Sequence, residues 1–225
     1  MPQQYEIEIK SLLGAKEKAD ALKQKIQEKG GTFSPEKSSK QLNHYFTYSD
    51  LSAFHDAVLP HLSEDKKELF SKIVYEGKNF SIRTRDANGK VILVMKASLD
   101  DHSSSNGVSR MEFEAVMPML LDELDQLLLG AGLSYQAKWS REREEYQLGD
   151  VAICIDKNAG YGYLAEFEKV VDDQSHTAEA KTSLEALMSD FGIEELQQDR
   201  LERMFAFYNT HWPEYYGTDK TFTIE

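Results

Sequence analysis

Alternating charges near the start of the chain are the first residues whose types and spacing could do chemistry. Glu6, Glu8 and Lys10 alternate with Ile7 and Ile9, which is the two-residue period of a half-buried β-strand. The three charged side chains therefore share one face of the predicted strand. Carboxylates in successive positions on one strand face are roughly 6.5–7 Å apart at their Cα atoms, so they repel and favour a nearby cation. Lys10 supplies one positive charge, and a divalent metal ion would supply more.

A charged strand face is usually only a solvated surface, and one such segment would not indicate a site. The same pattern, however, returns further along the chain. The repeated segments are Arg83-Thr84-Arg85, Arg110-Met111-Glu112-Phe113-Glu114, Arg141-Glu142-Arg143 and Glu166-Phe167-Glu168. Each places two or three charges on one face of a predicted strand, which favours a shared charged surface.

Length and composition predict a globular protein with a substantial core. The 225 residues suit one large domain or one domain with an appendage, and 40% of them are hydrophobic. The net charge of -13 makes nucleic acid and anionic lipid unsuitable general partners. Arginines at period two on strands of such an acidic protein therefore predict a local cationic surface.

The sequence also predicts a cytoplasmic location. The mean hydropathy is -0.55, and no run approaches the roughly 18 apolar residues of a membrane-spanning helix. Residues 1–4 show neither the basic nor the apolar region of a secretion signal. Cys154 is the only cysteine, so an internal disulfide is excluded, as expected in a reducing compartment.

Hydrophobic periodicity predicts about eight strands, mostly antiparallel, and about six helices. The first strand is followed by a helix over 15–29, and a helical excursion over Asp50 to Tyr75 separates the next two strands. Asp50 is the predicted cap of its first helix, and Pro118 is predicted to open a later one. The remaining predicted strands are 41–48, 80–85, 91–96, 109–116, 139–148, 151–156 and 163–170, and the terminal helices are 177–191 and 194–208.

These elements predict an α+β fold with helices outside a sheet. A flat sheet with its charged face in water is one arrangement. A closed eight-stranded antiparallel β-barrel with the charges inside is the sharper hypothesis, because closure also removes strand edges. The predicted domains are 1–172, with the helical insertion at about 50–75, and 173–225, whose helices cover a barrel end or form a homodimer contact.

The ordered motifs resemble the CYTH superfamily, the triphosphate tunnel metalloenzymes. The chain carries the opening ExExK motif, paired arginines and a following lysine on middle strands, an RxExE strand, a basic strand ending in tyrosine, and a closing aspartate, Gly-x-Gly turn and ExE. The matching residues are Glu6, Glu8 and Lys10; Arg83, Arg85 and Lys96; Arg110, Glu112 and Glu114; Arg141, Arg143 and Tyr146; and Asp156, Gly160, Gly162, Glu166 and Glu168. The resemblance covers roughly 5–170.

Two departures from the family pattern affect the expected activity. The second strand often carries Asp-x-Tyr-Phe-Asp, whereas this chain has Asn43 and Thr47 at the acidic positions. Some class IV adenylyl cyclases of the family also carry His-Phe before ExExK, and residues 1–4 lack that pair. The second departure weakens a cyclase assignment without removing it.

The resemblance implies a site in which cations bind the polyphosphate and carboxylates bind Mg²⁺ or Mn²⁺. The implied substrate-binding residues are Lys10, Arg83, Arg85, Lys96, Arg110, Arg141 and Arg143. The implied metal ligands are Glu6, Glu8, Glu112, Glu114, Asp156, Glu166 and Glu168, with Glu112 and Glu114 alternatively pairing with arginines. The opening motif, Glu6, Glu8 and Lys10, is assigned the catalytic role.

The resulting hypothesis is metal-dependent hydrolysis of inorganic triphosphate or of a triphosphorylated organic compound in a charged tunnel. One alternative is a class IV-type adenylyl cyclase that makes cyclic AMP from ATP. A second is a polyphosphate- or nucleotide-binding module without turnover, although retention of all the expected carboxylates speaks against it. A lipocalin-like barrel for apolar ligands is a third, and charges on an inward face argue against it.

Overall fold

A computed structural model describes residues 5–98 and 110–224 of the chain. Nine strands form within those residues, one more than predicted. Their ranges are β1 Tyr5–Gly14, β2 Thr32–Phe33, β3 Ser39–Thr47, β4 Lys78–Ala87, β5 Lys90–Ser98, β6 Arg110–Val116, β7 Ser134–Leu148, β8 Val151–Asn158 and β9 Gly162–Val171. The predicted polar loop over 100–107 and the segment 1–4 lie outside the described residues.

The helices agree in number with the expectation from periodicity. Six α-helices lie within the described residues: α1 Lys16–Glu28, α2 Ser52–Val58, α3 Glu64–Glu76, α4 Leu121–Gly130, α5 Thr177–Phe191 and α6 Gln198–Tyr215. Two short 3₁₀ helices are Leu59–His61 and Gln174–His176. No helix of the described chain has the length and apolar character needed to cross a membrane.

The strands form one antiparallel sheet in the hydrogen-bonded order β1-β9-β8-β7-β3-β4-β5-β6, with the two-residue β2 paired to β7. The α+β class is therefore confirmed. Among the described strands, β1 and β6 stand at the two ends of this order and the sheet is not closed. The predicted closed eight-stranded barrel is thus not confirmed; its lining by residues of both halves stays a prediction.

Two compact units divide the described residues. The first contains residues 5–39 and 141–224, and the second contains 40–98 and 110–140. The two C-terminal helices belong to the first unit, together with β1, β8 and β9. The predicted boundary at 172/173 stays a prediction.

The first unit buries one face of its sheet against α1 and α5. Ala19, Leu22 and Ile26 recur at helical spacing on α1 and are buried, and α5 presents Leu184 and Phe191 in the same way. They pack against the apolar side chains of the strands. This core includes Ile7, Ile9, Ile153, Ile155, Ala165 and Phe167. The strand residues between these apolar positions must therefore face the other side of the sheet.

The second unit repeats this arrangement with α2, α3 and α4. Phe70 and Ile73 of α3 and Leu124 of α4 are fully buried against the sheet. The strand side of this core includes Phe46, Ile82, Leu93, Met95 and Phe113. The helical excursion predicted over 50–75 is confirmed as α2, a 3₁₀ turn containing Pro60, and α3.

Several element boundaries differ from the sequence prediction, including those of α4, α2 and α6. Helix α4 begins at Leu121 rather than in the turn opened by Pro118, and the Glu123 side chain accepts a hydrogen bond from the Leu120 amide. The cap position of α2 is Leu51 rather than Asp50. Helix α6 extends to Tyr215 and contains Pro213, whereas the prediction ended it at Tyr208.

Candidate functional site

Antiparallel register gathers the predicted charges of the first unit on one sheet face. Lys10 of β1 lies opposite Glu166 of β9, and Glu8 lies opposite Glu168. Arg143 of β7 lies opposite Asp156 of β8. Alternation along the strands adds Glu6 and Arg141 to this group. We call this surface the acidic face, and its members are Glu6, Glu8, Lys10, Arg141, Arg143, Asp156, Glu166 and Glu168.

Arg143 is the central cation of the acidic face. Its Nε donates to Asp156 Oδ1 at 2.7 Å, and its Nη2 donates to Asp156 Oδ2 at 2.6 Å. The same Nη2 donates to Glu166 Oε2. Arg141 Nη1 adds a further bond to Asp156 Oδ2 at 2.8 Å. One buried aspartate thus receives three charge-assisted bonds from two arginines, which is strong and directional pairing.

Lys10 connects the two carboxylates on either side of it. Its Nζ donates to Glu8 Oε1 and is 3.7 Å from Glu166 Oε1. Burial lowers the pKa of Lys10, but the charges of Glu166 and Glu8 outweigh it and raise the pKa above its ordinary value. Lys10 therefore stays charged between these two carboxylates.

Burial makes these pairings energetically important. The Asp156 side chain is only 1% exposed, and the side chains of Arg143 and Glu166 are 17% and 16% exposed. Burial by itself raises the pKa of Glu166, but Arg143, Lys10 and Arg141 outweigh it and lower the pKa to about 2. Burial likewise opposes the charge of Arg143, yet Asp156 and Glu166 raise its pKa. Glu166 and Arg143 are therefore both ionised near neutral pH.

Cys154 lies in this face without the properties of a reactive thiol. It is buried, and its register partners are Glu166 on one side and Glu145 on the other. Burial raises the pKa of Cys154 to about 12, so the thiolate needed for nucleophilic attack or metal binding is not formed near neutral pH.

The Gly-x-Gly turn between β8 and β9 fixes the strands that carry Asp156 and Glu166. Gly162 has φ +73°, and a Cβ there would lie 2.4 Å from the Gly14 carbonyl oxygen at the end of β1. Gly160 has φ +97°, and a Cβ there would lie 2.7 Å from the Tyr208 ring of α6. Both positions therefore require glycine, for conformation and for space.

The metal ligands predicted in the first unit are present but are not gathered as a coordination group. Within the described residues, no three His, Cys, Asp or Glu side chains are arranged to hold a metal ion. Asp156 and Glu166 are bonded to Arg143, so their carboxylates do not converge with the other predicted ligands. The donor chemistry nevertheless fits Mg²⁺ or Mn²⁺, because Glu8 and Glu168 oppose each other across the β1–β9 pair and offer only oxygen ligands.

A second charged face lies in the second unit. Register places Arg83 and Arg85 of β4 beside β5, Lys96 of β5 opposite Glu112, and Val94 opposite Glu114. We call this surface the cationic face, and its members are Tyr45, Arg83, Arg85, Lys96, Glu112 and Glu114. Arg110 begins β6, and its backbone pairs with Ser98.

The two glutamates of the cationic face pair with its cations. Lys96 Nζ lies 3.2 Å from Glu112 Oε1, and Arg85 Nη1 lies 3.6 Å from Glu114 Oε1. Arg85 Nε also donates to Asn43 Oδ1 at 2.9 Å. These contacts agree with the alternative in which Glu112 and Glu114 neutralise cations rather than bind a metal.

Arg83 differs from Arg85 in having a buried donor without an acceptor. Its Nη1 donates to the Tyr45 hydroxyl at 2.6 Å, and its guanidinium carbon lies 5.5 Å from the Tyr45 ring centroid. Within the described chain, Arg83 Nε is buried and has no hydrogen-bond partner. A desolvated donor of this kind is rare, and water, an ion or a ligand could supply its acceptor.

One buried polar cluster was missed by sequence reasoning. Asp125 of α4 is 1% exposed, and its carboxylate accepts bonds from Thr84 Oγ1, Tyr135 OH and the His44 ring, each at 2.6 Å. Lys138 Nζ is 3.9 Å away. The available signal was an aspartate between Leu124 and Leu128, inside the apolar stripe of α4. This cluster lies on the helix-covered side of the sheet and stabilises the fold.

Family comparison identifies the class of the chain. The CYTH domain family model matches residues 67–200, which is more than half of the chain. The chain therefore belongs to the CYTH family. No curated protein matches the chain.

Solved structures share the fold at low identity. A candidate adenylate cyclase from Vibrio parahaemolyticus is 15% identical with a TM-score of 0.60, covering 90% of this chain and 98% of that one. The PH1012 protein of Pyrococcus horikoshii is 17% identical with a TM-score of 0.58, covering 84% and 91%. A candidate adenylyl cyclase from Hippeastrum, described as having a dominant triphosphatase activity, is 17% identical with a TM-score of 0.51, covering 88% and 95%.

Proposed function

We propose that this protein is a divalent-metal-dependent triphosphatase acting on inorganic triphosphate or a triphosphorylated organic compound. Membership of the CYTH family supports this class of reaction, and the Hippeastrum structural neighbour is described as having a dominant triphosphatase activity. The choice of this reaction for this chain depends on its own charged residues.

The observation that carries the proposal is the opposite charge balance of the two faces. The acidic face has five carboxylates and three cations, and Glu145 on the same side of β7 is paired with Lys37 at 2.7 Å. The described part of the cationic face has three cations and two glutamates. An excess of about two negative charges suits one divalent cation, and an excess of positive charge suits a polyphosphate.

Glu6, Glu8 and Glu168 are the residues proposed to hold the metal ion. Asp156 and Glu166 are proposed to join them when Arg143 transfers its hydrogen bonds to phosphate oxygens. A bound Mg²⁺ or Mn²⁺ would supply charge neutralisation and would lower the pKa of a bound water. Glu112 and Glu114 are proposed to act as counterions of Lys96 and Arg85 instead.

The cations are proposed to bind and orient the phosphate chain. Arg83 and Arg85 offer guanidinium forks that match phosphate oxygens, and Arg83 Nε is a desolvated donor. Lys96 adds a point charge, and Arg110, Arg141 and Arg143 are proposed to bind further phosphate oxygens. Lys10 is proposed to neutralise charge that develops on the phosphate oxygens, since positioning and neutralisation dominate phosphoryl transfer.

Phosphate release tests the proposal. The protein is incubated with tripolyphosphate, ATP or thiamine triphosphate together with Mg²⁺ or Mn²⁺, and phosphate is measured. Hydrolysis of at least one compound that disappears with chelator is expected, and Arg83→Gln should raise KM. Absence of release from all three compounds would contradict the proposal.

The same incubations separate the alternatives. Chromatographic detection of cyclic AMP as the main ATP product would favour a cyclase. Calorimetric binding of tripolyphosphate without any product would favour a binding module. The cytoplasmic location, the absence of nucleic-acid and membrane partners, and a homodimer contact through the terminal helices stay predictions.

A further inference from the structure

Tyr45 on the cationic face contacts a second aromatic side chain, Trp139 of β7. Tyr45 is the register partner of Arg83, whereas its neighbours His44 and Phe46 are 2% and 3% exposed on the helix-covered side. The Tyr45 and Trp139 ring centroids are 6.5 Å apart at an angle of 71°, an edge-to-face contact. Both side chains are half-buried. The rings lie beside charged residues on this face, which also carries Val94 opposite Arg83 and Ile92 opposite Arg85.

The aromatic pair is directly connected to the arginine that has an unused donor. The Tyr45 hydroxyl accepts from Arg83 Nη1 at 2.6 Å, and the guanidinium lies over the Tyr45 ring. Arg83 Nε, in the same side chain, is buried and lacks an acceptor in the described structure. A phosphate oxygen would satisfy that donor. A ligand bound there would therefore have its phosphate at Arg83 and its neighbouring group beside Tyr45 and Trp139.

We propose that Tyr45 and Trp139 bind the aromatic ring of an organic triphosphate whose phosphate chain is held by Arg83. This inference rests on the proposed function and narrows its substrate class, because inorganic triphosphate has no group that could use the rings. Aromatic side chains bind heterocycles through their π faces with little dependence on the particular heterocycle. The face thus prefers ring-bearing triphosphates, such as nucleoside or thiamine triphosphates, over tripolyphosphate.

The competing explanation is that the two rings only hold Arg83 in place. Under that explanation, loss of Trp139 would weaken every triphosphate equally, since all of them need Arg83. Under the proposal, loss of Trp139 weakens only ligands that carry a ring. Kinetics with and without a ring on the substrate therefore separate the two.

The first experiment compares Trp139→Leu with wild type on ATP, thiamine triphosphate and tripolyphosphate. The KM for the two ring-bearing substrates should rise about tenfold, because the loss of one stacking contact weakens binding by about that factor. The kinetics with tripolyphosphate should not change. Trp212→Leu, which changes the other tryptophan on α6 of the first unit, is the matched control and should alter none of the three. Equal losses on all substrates, or no loss on any, would overturn the proposal.

A second experiment works even if Trp139→Leu folds poorly. In Trp212→Phe the only remaining indole is Trp139, so its fluorescence reports directly on this position. ATP and thiamine triphosphate should change the emission saturably, and tripolyphosphate should change it much less. The proposal would be overturned if the emission did not change at concentrations where calorimetry shows the ring-bearing ligands bound. It would also be overturned if calorimetry showed no binding of these ligands. Hydrolysis of tripolyphosphate alone would leave the proposed function standing and reject this inference.

Discussion

Arg143 and Asp156 form a bidentate ion pair in which one guanidinium donates to both carboxylate oxygens of the aspartate. The two bonds are 2.7 and 2.6 Å long, and the aspartate side chain is 1% exposed. A buried carboxylate would be strongly destabilising without such a partner. The pair thus holds the acidic face together before any ligand arrives, and the same arginine is proposed to bind phosphate.

Arg143→Gln is expected to lower the free energy of unfolding by about 3 kcal/mol, near the low end for breaking a buried ion pair, because Arg141 still binds Asp156. Denaturant titration followed by circular dichroism measures this change. The control is Arg203→Gln, which removes an exposed pair with Asp199 on α6. That control should change stability by less than about 0.5 kcal/mol. Similar losses in the two variants would show that the buried pair is not stabilising.

Glu166 predicts a specific dependence of stability on pH. Its pKa is lowered in the folded protein from 4.5 to about 2. A lowered folded-state pKa stabilises the protein fully above the unfolded-state value, and this contribution is lost as pH falls from 4.5 towards 2. The difference in unfolding free energy between wild type and Glu166→Gln should therefore be largest near neutral pH and shrink across that window. Denaturant titrations at a series of pH values measure it.

A matched control removes the contribution of other acidic groups. The pKa of Asp125 is also lowered, since its hydrogen bonds from His44, Thr84 and Tyr135 outweigh the effect of burial. Wild type and Glu166→Gln share that group, so their difference isolates Glu166. Glu185→Gln, on the exposed side of α5, should give a small difference at every pH. If the difference in unfolding free energy between wild type and Glu166→Gln were the same at every pH, the lowered pKa of Glu166 would be contradicted.

The facing glutamates predict a loss of metal-dependent stabilisation. Glu8 and Glu168 occupy directly opposed strand positions, and Glu168 is one of the proposed metal ligands. Glu168→Gln should therefore reduce the rise in Tm on adding Mn²⁺. Differential scanning fluorimetry with chelator or Mn²⁺ measures this rise.

The corresponding change on the cationic face serves as the comparison. Glu112 Oε1 lies 3.2 Å from Lys96 Nζ, and Glu112 is proposed to neutralise that lysine instead of binding metal. Glu112→Gln should therefore leave the Mn²⁺-dependent rise in Tm as in wild type. A variant at Glu112 that abolished the rise, with Glu168→Gln retaining it, would reverse the proposed assignment of metal ligands and counterions.

The charged faces could be predicted from sequence because strand alternation is a local property. Glu8 and Lys10 share a face through the pleat alone, and so do Arg141 and Arg143. Sheet pairing then brings Lys10 beside Glu166, which lies 156 positions later in the chain. The position of Glu166 beside Lys10 could be anticipated only from the order of the family motifs. The two-residue β2 depends on long-range pairing with β7 that periodicity does not encode.

Pairing between charges was the part that sequence reasoning could not supply. Asp156 was predicted as a metal ligand, and the structure places it between two arginines because all three side chains point to one face. Nothing in the spacing of Asp156 distinguishes a ligand from an ion-pair partner. Asp125 was missed for a related reason: its hydrogen-bond donors come from β3, β4 and β7, which meet only in the folded sheet.

The Asp125 cluster gives the last prediction. Asp125→Ala should lower the free energy of unfolding by about 3 kcal/mol, because buried donors on His44, Thr84 and Tyr135 would lose their shared acceptor. Asp122→Ala, at an exposed position in the first turn of the same helix, should cost no more than about 1 kcal/mol. Denaturant titration compares the two variants.

Tyr135→Phe tests whether the cost comes from the network or only from helix α4. It removes one of the three 2.6 Å bonds but retains the ring that packs against Phe46. The expected loss is about 1 kcal/mol. The double variant with Asp125→Ala should lose less stability than the sum of the two single variants, because the hydroxyl has no acceptor once Asp125 is gone. Strict additivity would mean that the hydroxyl and the carboxylate stabilise the protein independently.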